Sequence, residues 1–396
     1  MAPQTRRVLK QEKGHGAKAA KKQSPVSSST VLPADRSAAN SWRTAILQTL
    51  LLSIGLSLGL FYAWYSGAGD AQKVLVNQRP SPRYDEVAIG AAYAVVDIPG
   101  KGKGVIATRN ISRGELILTE KPLFTVPPTI QTSPVEFIKE KLVLTSEPQR
   151  WAFFNLSYVN FPKDKDPLRD VDHLAFAIFE TNAVQAGKEI GVFPRMARLN
   201  HGCSSGFNTV YSYRETEGTL YIHAIKPIAV GEELLTTYTD TKKPRHQRRS
   251  FLQQTYGFGC TCSVCSLPEA ESKASDSRLS AMAANWARFA KWIDGTINGV
   301  EAIELVREIW KLGDEEGYGS ERGRLAADAV WVAAGHSDAD AVRKWGELAK
   351  EWYRYELGEG NEHLQFIERV LARPDMHPAW GSRELLAVGG PRSRGA

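Results

Sequence analysis

The sequence predicts an α+β protein in which a strand-rich unit is followed by an all-helical one. Three observations predict it. Short apolar runs punctuated by glycine and proline recur as far as Tyr238, which is strand texture. Beyond Ser275 apolar residues return at helical spacing. All four cysteines of the chain are confined to the window from Cys203 to Cys265, three of them where the two textures meet.

The first 43 residues hold nine Lys/Arg against Glu12 and Asp35, a charge of +7, so the rest of a chain of formal net charge +6 carries −1. A basic, acid-poor segment of this kind reads as a solvated, disordered tail. The remainder is not basic, and nothing in its charge points to direct nucleic-acid binding. No charge occurs over 44–69, and residues 45–65 supply 21 mostly apolar positions, close to the ~20 that span a bilayer. With Tyr62, Trp64 and Tyr65 at one end as an interfacial anchor, residues 44–69 are expected to form a single N-terminal transmembrane helix. A mitochondrial targeting sequence is the competing reading. Residues 70–87, polar and containing Pro80 and Pro82, read as a linker.

Strands are expected at 91–98, 104–107, 116–119, 220–225 and 234–238. Residues 121–190 are mixed: Pro127, Pro128 and Pro162 break the pattern, while 171–183 has helical spacing. In the helical region, 275–396, Ala302, Leu305, Ile309 and Leu312 share one face, as do Ala341, Trp345, Leu348, Trp352 and Tyr355. Gly313, Gly335 and Gly358 are placed at helix ends. Seven of the ten tryptophans lie here and are assigned to packing between paired helices.

Cys260-Thr261-Cys262-Ser263-Val264-Cys265 is a tight knuckle, and Cys203 sits 57 residues before it in Asn200-His201-Gly202-Cys203. Four thiolates satisfy a tetrahedral structural Zn²⁺ and leave no open position. An ion held by Cys203, Cys260, Cys262 and Cys265 would staple the two segments together. Two disulfides or four unrelated thiols are the alternatives, the first hindered because Cys260 and Cys262 are too close to bridge easily.

Around these cysteines stand Arg198-Leu199-Asn200-His201-Gly202-Cys203, Gly231-Glu232-Glu233-Leu234-Leu235-Thr236-Thr237-Tyr238 and Tyr256-Gly257-Phe258-Gly259-Cys260-Thr261-Cys262, preceded by a glycine-containing segment from Lys101 to Glu115. In order and separation these blocks resemble the SET-domain protein lysine methyltransferases. The chain is most similar to the SET-and-MYND-like group and its fungal relatives, without the cysteine-rich MYND finger. The resemblance implies a β-rich SET domain over 88–255 with a knotted C-terminal segment and a variable insert at about 121–190, a post-SET zinc knuckle over 256–268, and a helical region that bounds substrate access.

The same resemblance implies site residues. Tyr238 falls at the catalytic tyrosine position and Tyr256 at an aromatic lining the lysine channel. Lys103, Gly104, Asn200, His201 and Phe258 fall at positions that hold S-adenosylmethionine, Phe258 against the adenine. Each has a plainer reading, as a packed strand aromatic or an ordinary turn. The sequence also departs from the family. Gly202 replaces a serine and is expected to loosen the loop, and the second asparagine of the motif comes late, at Asn208.

The expected function is therefore transfer of methyl groups from S-adenosylmethionine to the lysine ε-amine of a protein substrate, with structural zinc. A catalytically silent SET scaffold that binds partners through its helical region is the alternative. Thiolate-bound zinc and the methyl donor suit a cytosol-facing catalytic domain on the membrane, with mitochondrial and luminal placement as alternatives.

Overall fold

The computed structural model describes residues 91–392. The tail, transmembrane anchor and linker expected over residues 1–87 lie outside the described residues, and none of the described helices is long and apolar enough to cross a membrane.

Gly100 and Gly102, both at positive φ, turn β1 (Tyr93–Ile98) back antiparallel onto β2 (Gly102–Ala107), with Val96 opposite Gly104. β3 (Leu116–Glu120) follows, and β4 (Thr125–Val126) opens the insert. Pro134 sits in the first turn of α1 (Pro134–Val143), and Ser146 with Gln149 forms a capping box at the start of α2 (Glu147–Phe154). α3 (Val171–Asn182) is the helix expected at 171–183. β5 (Val184–Ala186) and β6 (Glu189–Gly191) complete a three-stranded sheet ordered β4, β6, β5. The insert has its own core, with Val126, Ile138, Phe153 and Ile178 fully buried.

β7 (Asn200–His201) leads to β8 (Thr209–Arg214) and β9 (Thr219–Ala224), which join β3 in the antiparallel order β3, β9, β8. Val105, Leu220, Ile222, Ile228 and Leu234 fill the core of these strands. β8 has no counterpart among the expected strands, because polar Ser212 and Arg214 interrupt its apolar pattern. Of the strand expected at 234–238, only β10 (Leu235–Thr236) is regular, and it runs parallel to β7 with Leu235 beside Asn200.

α4 (Arg245–Tyr256) stops at Gly257, whose φ of +73 releases the chain into the cysteine knuckle. The helical region begins earlier than expected, at α5 (Glu269–Phe289), where Pro268 fixes the entry and Glu269 and Glu271 complement the helix dipole. α6 (Gly299–Glu316), α7 (Arg322–Gly335), α8 (Ala339–Leu357) and α9 (Glu362–Ala372) follow. Asn298, Asp338 and Asn361 cap α6, α8 and α9 by accepting a backbone N–H. α5 packs on α6 and α7 on α8, as paired helices.

Two expectations are corrected here. Gly313 lies inside α6, where a Cβ would meet the Arg322 guanidinium at 3.0 Å; the helix ends at Gly317, φ +68. Trp331 is not core but 41% exposed, because it lines a cleft, with its contact to the Trp292 ring at 5.8 Å on the packed side. The helices also pack against the strand unit: Phe207 and Ile225 enter their core, and the Arg113 guanidinium lies 5.5 Å from the Trp352 ring.

Candidate active site

The loop carrying Asn200 is fixed from below by Glu120. Its carboxylate accepts the backbone N–H groups of Arg195 and Met196, each over 2.9 Å, and burial pushes its pKa up to about 7. The short turn at Met196–Arg198 then delivers Asn200 to the edge of β10. There the Asn200 amide donates to Glu233 Oε1 over 2.9 Å and to the Lys103 carbonyl over 3.3 Å. Gly104 completes the cradle, since a Cβ there would lie 2.8 Å from the Asn200 amide and 2.5 Å from Ile98. Lys103 contributes through its backbone; its ammonium turns outward to Asp97 at 2.9 Å.

His201 faces the other way. Its Nδ1 accepts the Tyr238 backbone N–H over 3.0 Å, which assigns the ring hydrogen to Nε2, and Nε2 lies 3.1 Å from Cys203 Sγ. The Tyr238 hydroxyl donates to the Leu199 carbonyl over 2.6 Å. Tyr256, the last residue of α4 and not a strand aromatic, brings its ring within 5.1 Å of Tyr238, and Phe258 lies 6.4 Å from His201 and 6.5 Å from Tyr256. Tyr238, Tyr256 and Phe258 thus form one aromatic wall beside the Asn200 loop.

Cys203, Cys260, Cys262 and Cys265 are buried, and their sulfurs all lie within 4.8 Å of one another. No disulfide links them. A tetrahedron with Zn–S bonds of ~2.3 Å has sulfur edges of about 3.8 Å, and Cys203 and Cys265 stand 3.6 Å apart. At this spacing the thiols shift one another: Cys260 pushes Cys203 up, and Cys203 pulls Cys262 and Cys265 down.

Arg248 on α4 lies against the same cysteines. It is 0% exposed, and its Nε and Nη2 have no hydrogen-bond partner among the described residues. Burial opposes its charge, yet Cys203, Cys265 and Asp276, the last at 3.2 Å, hold its pKa above the ordinary value. A buried guanidinium here would offset part of the net charge of −2 of a tetrathiolate metal centre.

Gly202 does not loosen the loop. A Cβ there would lie 2.8 Å from the backbone of Gly206 and Phe207, so glycine permits a close backbone crossing. Asn208 is clamped to the strand opposite: its Oδ1 accepts from the Leu235 N–H over 2.7 Å and its amide donates to the Glu233 carbonyl over 2.9 Å. Two further participants, Glu233 and Arg248, carried no signal of their own in the sequence. Glu233 was visible only as part of the Gly-Glu-Glu-Leu block, and Arg248 only as one of several charges in Arg245-His246-Gln247-Arg248-Arg249.

The SET domain family matches residues 102–239. The histone-lysine N-methyltransferase set5 of Schizosaccharomyces pombe is 35% identical over 291 residues, 72% of this chain and 85% of that protein. The N-lysine methyltransferase SMYD2 of Gallus gallus is 37% identical over a shorter stretch, 20% of this chain and 17% of that protein. A solved structure of Rubisco LSMT bound to AdoMet aligns with 75% of this chain and 91% of its own, at 12% identity and a TM-score of 0.33. The chain belongs to the SET-domain family of protein lysine methyltransferases.

Proposed function

We propose that this protein transfers methyl groups from S-adenosylmethionine to the ε-amine of lysine in a protein substrate, at the site built from Asn200, His201, Tyr238 and Tyr256. The observation that carries the proposal is the Tyr238 hydroxyl, anchored on the Leu199 carbonyl one residue before the Asn200–His201 pair. The methyl comes from the sulfonium of S-adenosylmethionine when that is bound. Gly104 lets the β2 backbone come up against Asn200 and Glu233, and with both amide hydrogens of Asn200 taken by Glu233 and the Lys103 carbonyl, its amide oxygen would hold the cofactor.

The remaining work belongs to the chain's own residues. A free lysine, pKa ~10.4, is protonated at neutral pH and has no lone pair to attack with. The aromatic wall of Tyr238, Tyr256 and Phe258 disfavours the ammonium by desolvation, so the amine gives up its proton toward solvent and enters neutral. Because the Tyr238 hydrogen is committed to Leu199, its oxygen lone pairs stay available to polarised C–H groups of a transferring methyl. Cys203, Cys260, Cys262 and Cys265 would hold a structural Zn²⁺ that keeps the segment bearing Phe258 against the loop bearing Asn200.

The apolar run at 45–65 supports a membrane-anchored form; thiolate chemistry, against the basic residues that precede the run, favours this domain facing the cytosol. Protease added to intact microsomes should then digest the catalytic domain, and protection would oppose that topology. For the activity itself, calorimetric titration with S-adenosylmethionine is expected to give one site per chain. No heat of binding in folded, metal-loaded protein would leave only a scaffold role.

A further inference from the structure

Between β8, residues 236–241 and helices α7 to α9 the structure holds a cleft of about 880 Å³, large enough for a stretch of polypeptide rather than a single amine. Thr236, Thr237 and Thr239, which flank Tyr238, line one side. α7 lines the other with Arg324, Asp328 and Trp331, spaced to share one helical face.

The carboxylates of this cleft are not equivalent. Glu321 is taken by Lys242 at 2.6 Å and by the Tyr318 hydroxyl at 3.0 Å. Glu356 accepts the backbone N–H groups of Arg322 and Gly323 over 2.8 and 3.3 Å, at the start of α7. Asp328 accepts no hydrogen bond among the described residues. Its ion-pair neighbour among the described residues, Arg324, is 3.7 Å away on the same helix with its side chain 45% exposed. Burial pushes Asp328 up to about 6, and burial also pushes His363 down, so that lining histidine adds no fixed positive charge. One turn on, Trp331 lines the cleft at 41% exposure with its ring nearly perpendicular to that of Trp292 at 5.8 Å, and its exposed surface can meet a cation.

We propose that Asp328 and Trp331 form a second recognition point of the cleft, which binds a lysine or arginine side chain of the substrate protein other than the lysine that is methylated. The inference rests on the methyltransferase reading above and adds to it a substrate preference. A carboxylate that accepts no hydrogen bond from the described residues and lies near an exposed indole gains both a charge pair and a cation–π contact from such a side chain. Arginine, with a planar fork and weaker hydration, should be preferred over lysine there.

The test uses peptides with one lysine in Gly/Ser/Ala flanks, and a second set with a single arginine moved through successive flanking positions. In the native chain, arginine at one window of positions is expected to raise kcat/KM about tenfold. In Asp328→Asn that arginine-to-alanine ratio falls toward one, and in Asp328→Lys glutamate at the same positions becomes the better residue. An arginine advantage that survives Asp328→Asn overturns the proposal, as does an equal loss on both peptide sets. Calorimetric binding of the same peptides keeps the two claims apart. Arginine-dependent binding that Asp328→Asn removes, without methyl transfer, counts against the methyltransferase reading alone; binding that Asp328→Asn leaves intact counts against the subsite.

Discussion

Tyr238 donates its backbone N–H to His201 Nδ1 over 3.0 Å, and the other nitrogen of that ring stands 3.1 Å from Cys203 Sγ. One imidazole therefore joins the proposed catalytic tyrosine to the proposed metal ligand set. The cysteine cluster and Tyr238 are joined through two contacts, so disturbance at the cysteines should be felt at Tyr238 without any long-range motion.

That coupling predicts the outcome of cysteine replacement. Native protein should contain one zinc per chain by elemental analysis. Cys260→Ser should lose the ion, lower the melting temperature and weaken S-adenosylmethionine binding together. Arg248→Met leaves all four ligands in place but removes the buried positive charge beside them, so chelator competition should show faster zinc loss, with Arg248→Lys intermediate.

Tyr238→Phe deletes the hydroxyl held by Leu199 and keeps the ring against Tyr256. Turnover should fall on the order of 100-fold with the cofactor dissociation constant nearly unchanged, because the lost interaction acts on the transferring group. Single-turnover kinetics beside calorimetry separate the two effects, and equal rates would remove Tyr238 from the mechanism.

Gly104→Ala should act in the opposite sense. The added methyl meets the Asn200 amide at 2.8 Å and Ile98 at 2.5 Å, which displaces the amide from Glu233. Cofactor affinity is expected to drop at least tenfold with only a modest fall in melting temperature, measured by calorimetry and thermal unfolding.

These residues also mark how far the sequence could be read. The cysteine spacing and the ordered blocks around Asn200, Tyr238 and Cys260 were legible because each needs fixed residue types at fixed separations. The helical region was legible from its apolar faces, but its caps at Asn298, Asp338 and Asn361 were not read from the sequence. β8 was hidden because Ser212 and Arg214 break its pattern, and Arg214 instead reaches across to donate to the Leu357 carbonyl over 3.1 Å. Gly202 was misread because its neighbour, the backbone at Gly206, is a tertiary contact that no local pattern announces. Trp331 looked like its packed neighbours at helical spacing; only the placement of α7 shows that it faces the cleft.

Glu356 supplies a pH-dependent test of the packing. Burial pushes its pKa from an ordinary 4.5 up to about 7. The folded state thus binds this proton more tightly than the unfolded state, and the stability it contributes below about 4.5 is lost as pH rises through about 7. Glu356→Gln keeps an acceptor for the Arg322 N–H and cannot ionise. The variant should gain about 1–3 kcal/mol relative to native protein at pH 8 and little at pH 5, read from denaturant unfolding at both values.

The central claim is methyl transfer to lysine. Zinc-loaded protein incubated with isotopically labelled S-adenosylmethionine and a mixture of core histones and other lysine-rich proteins, followed by tandem mass spectrometry, tests it most directly. The account predicts labelled methyl on lysine ε-amines, strongly reduced with Tyr238→Phe. Label found only on other residue types, or lysine labelling at the native rate in Tyr238→Phe, would contradict it.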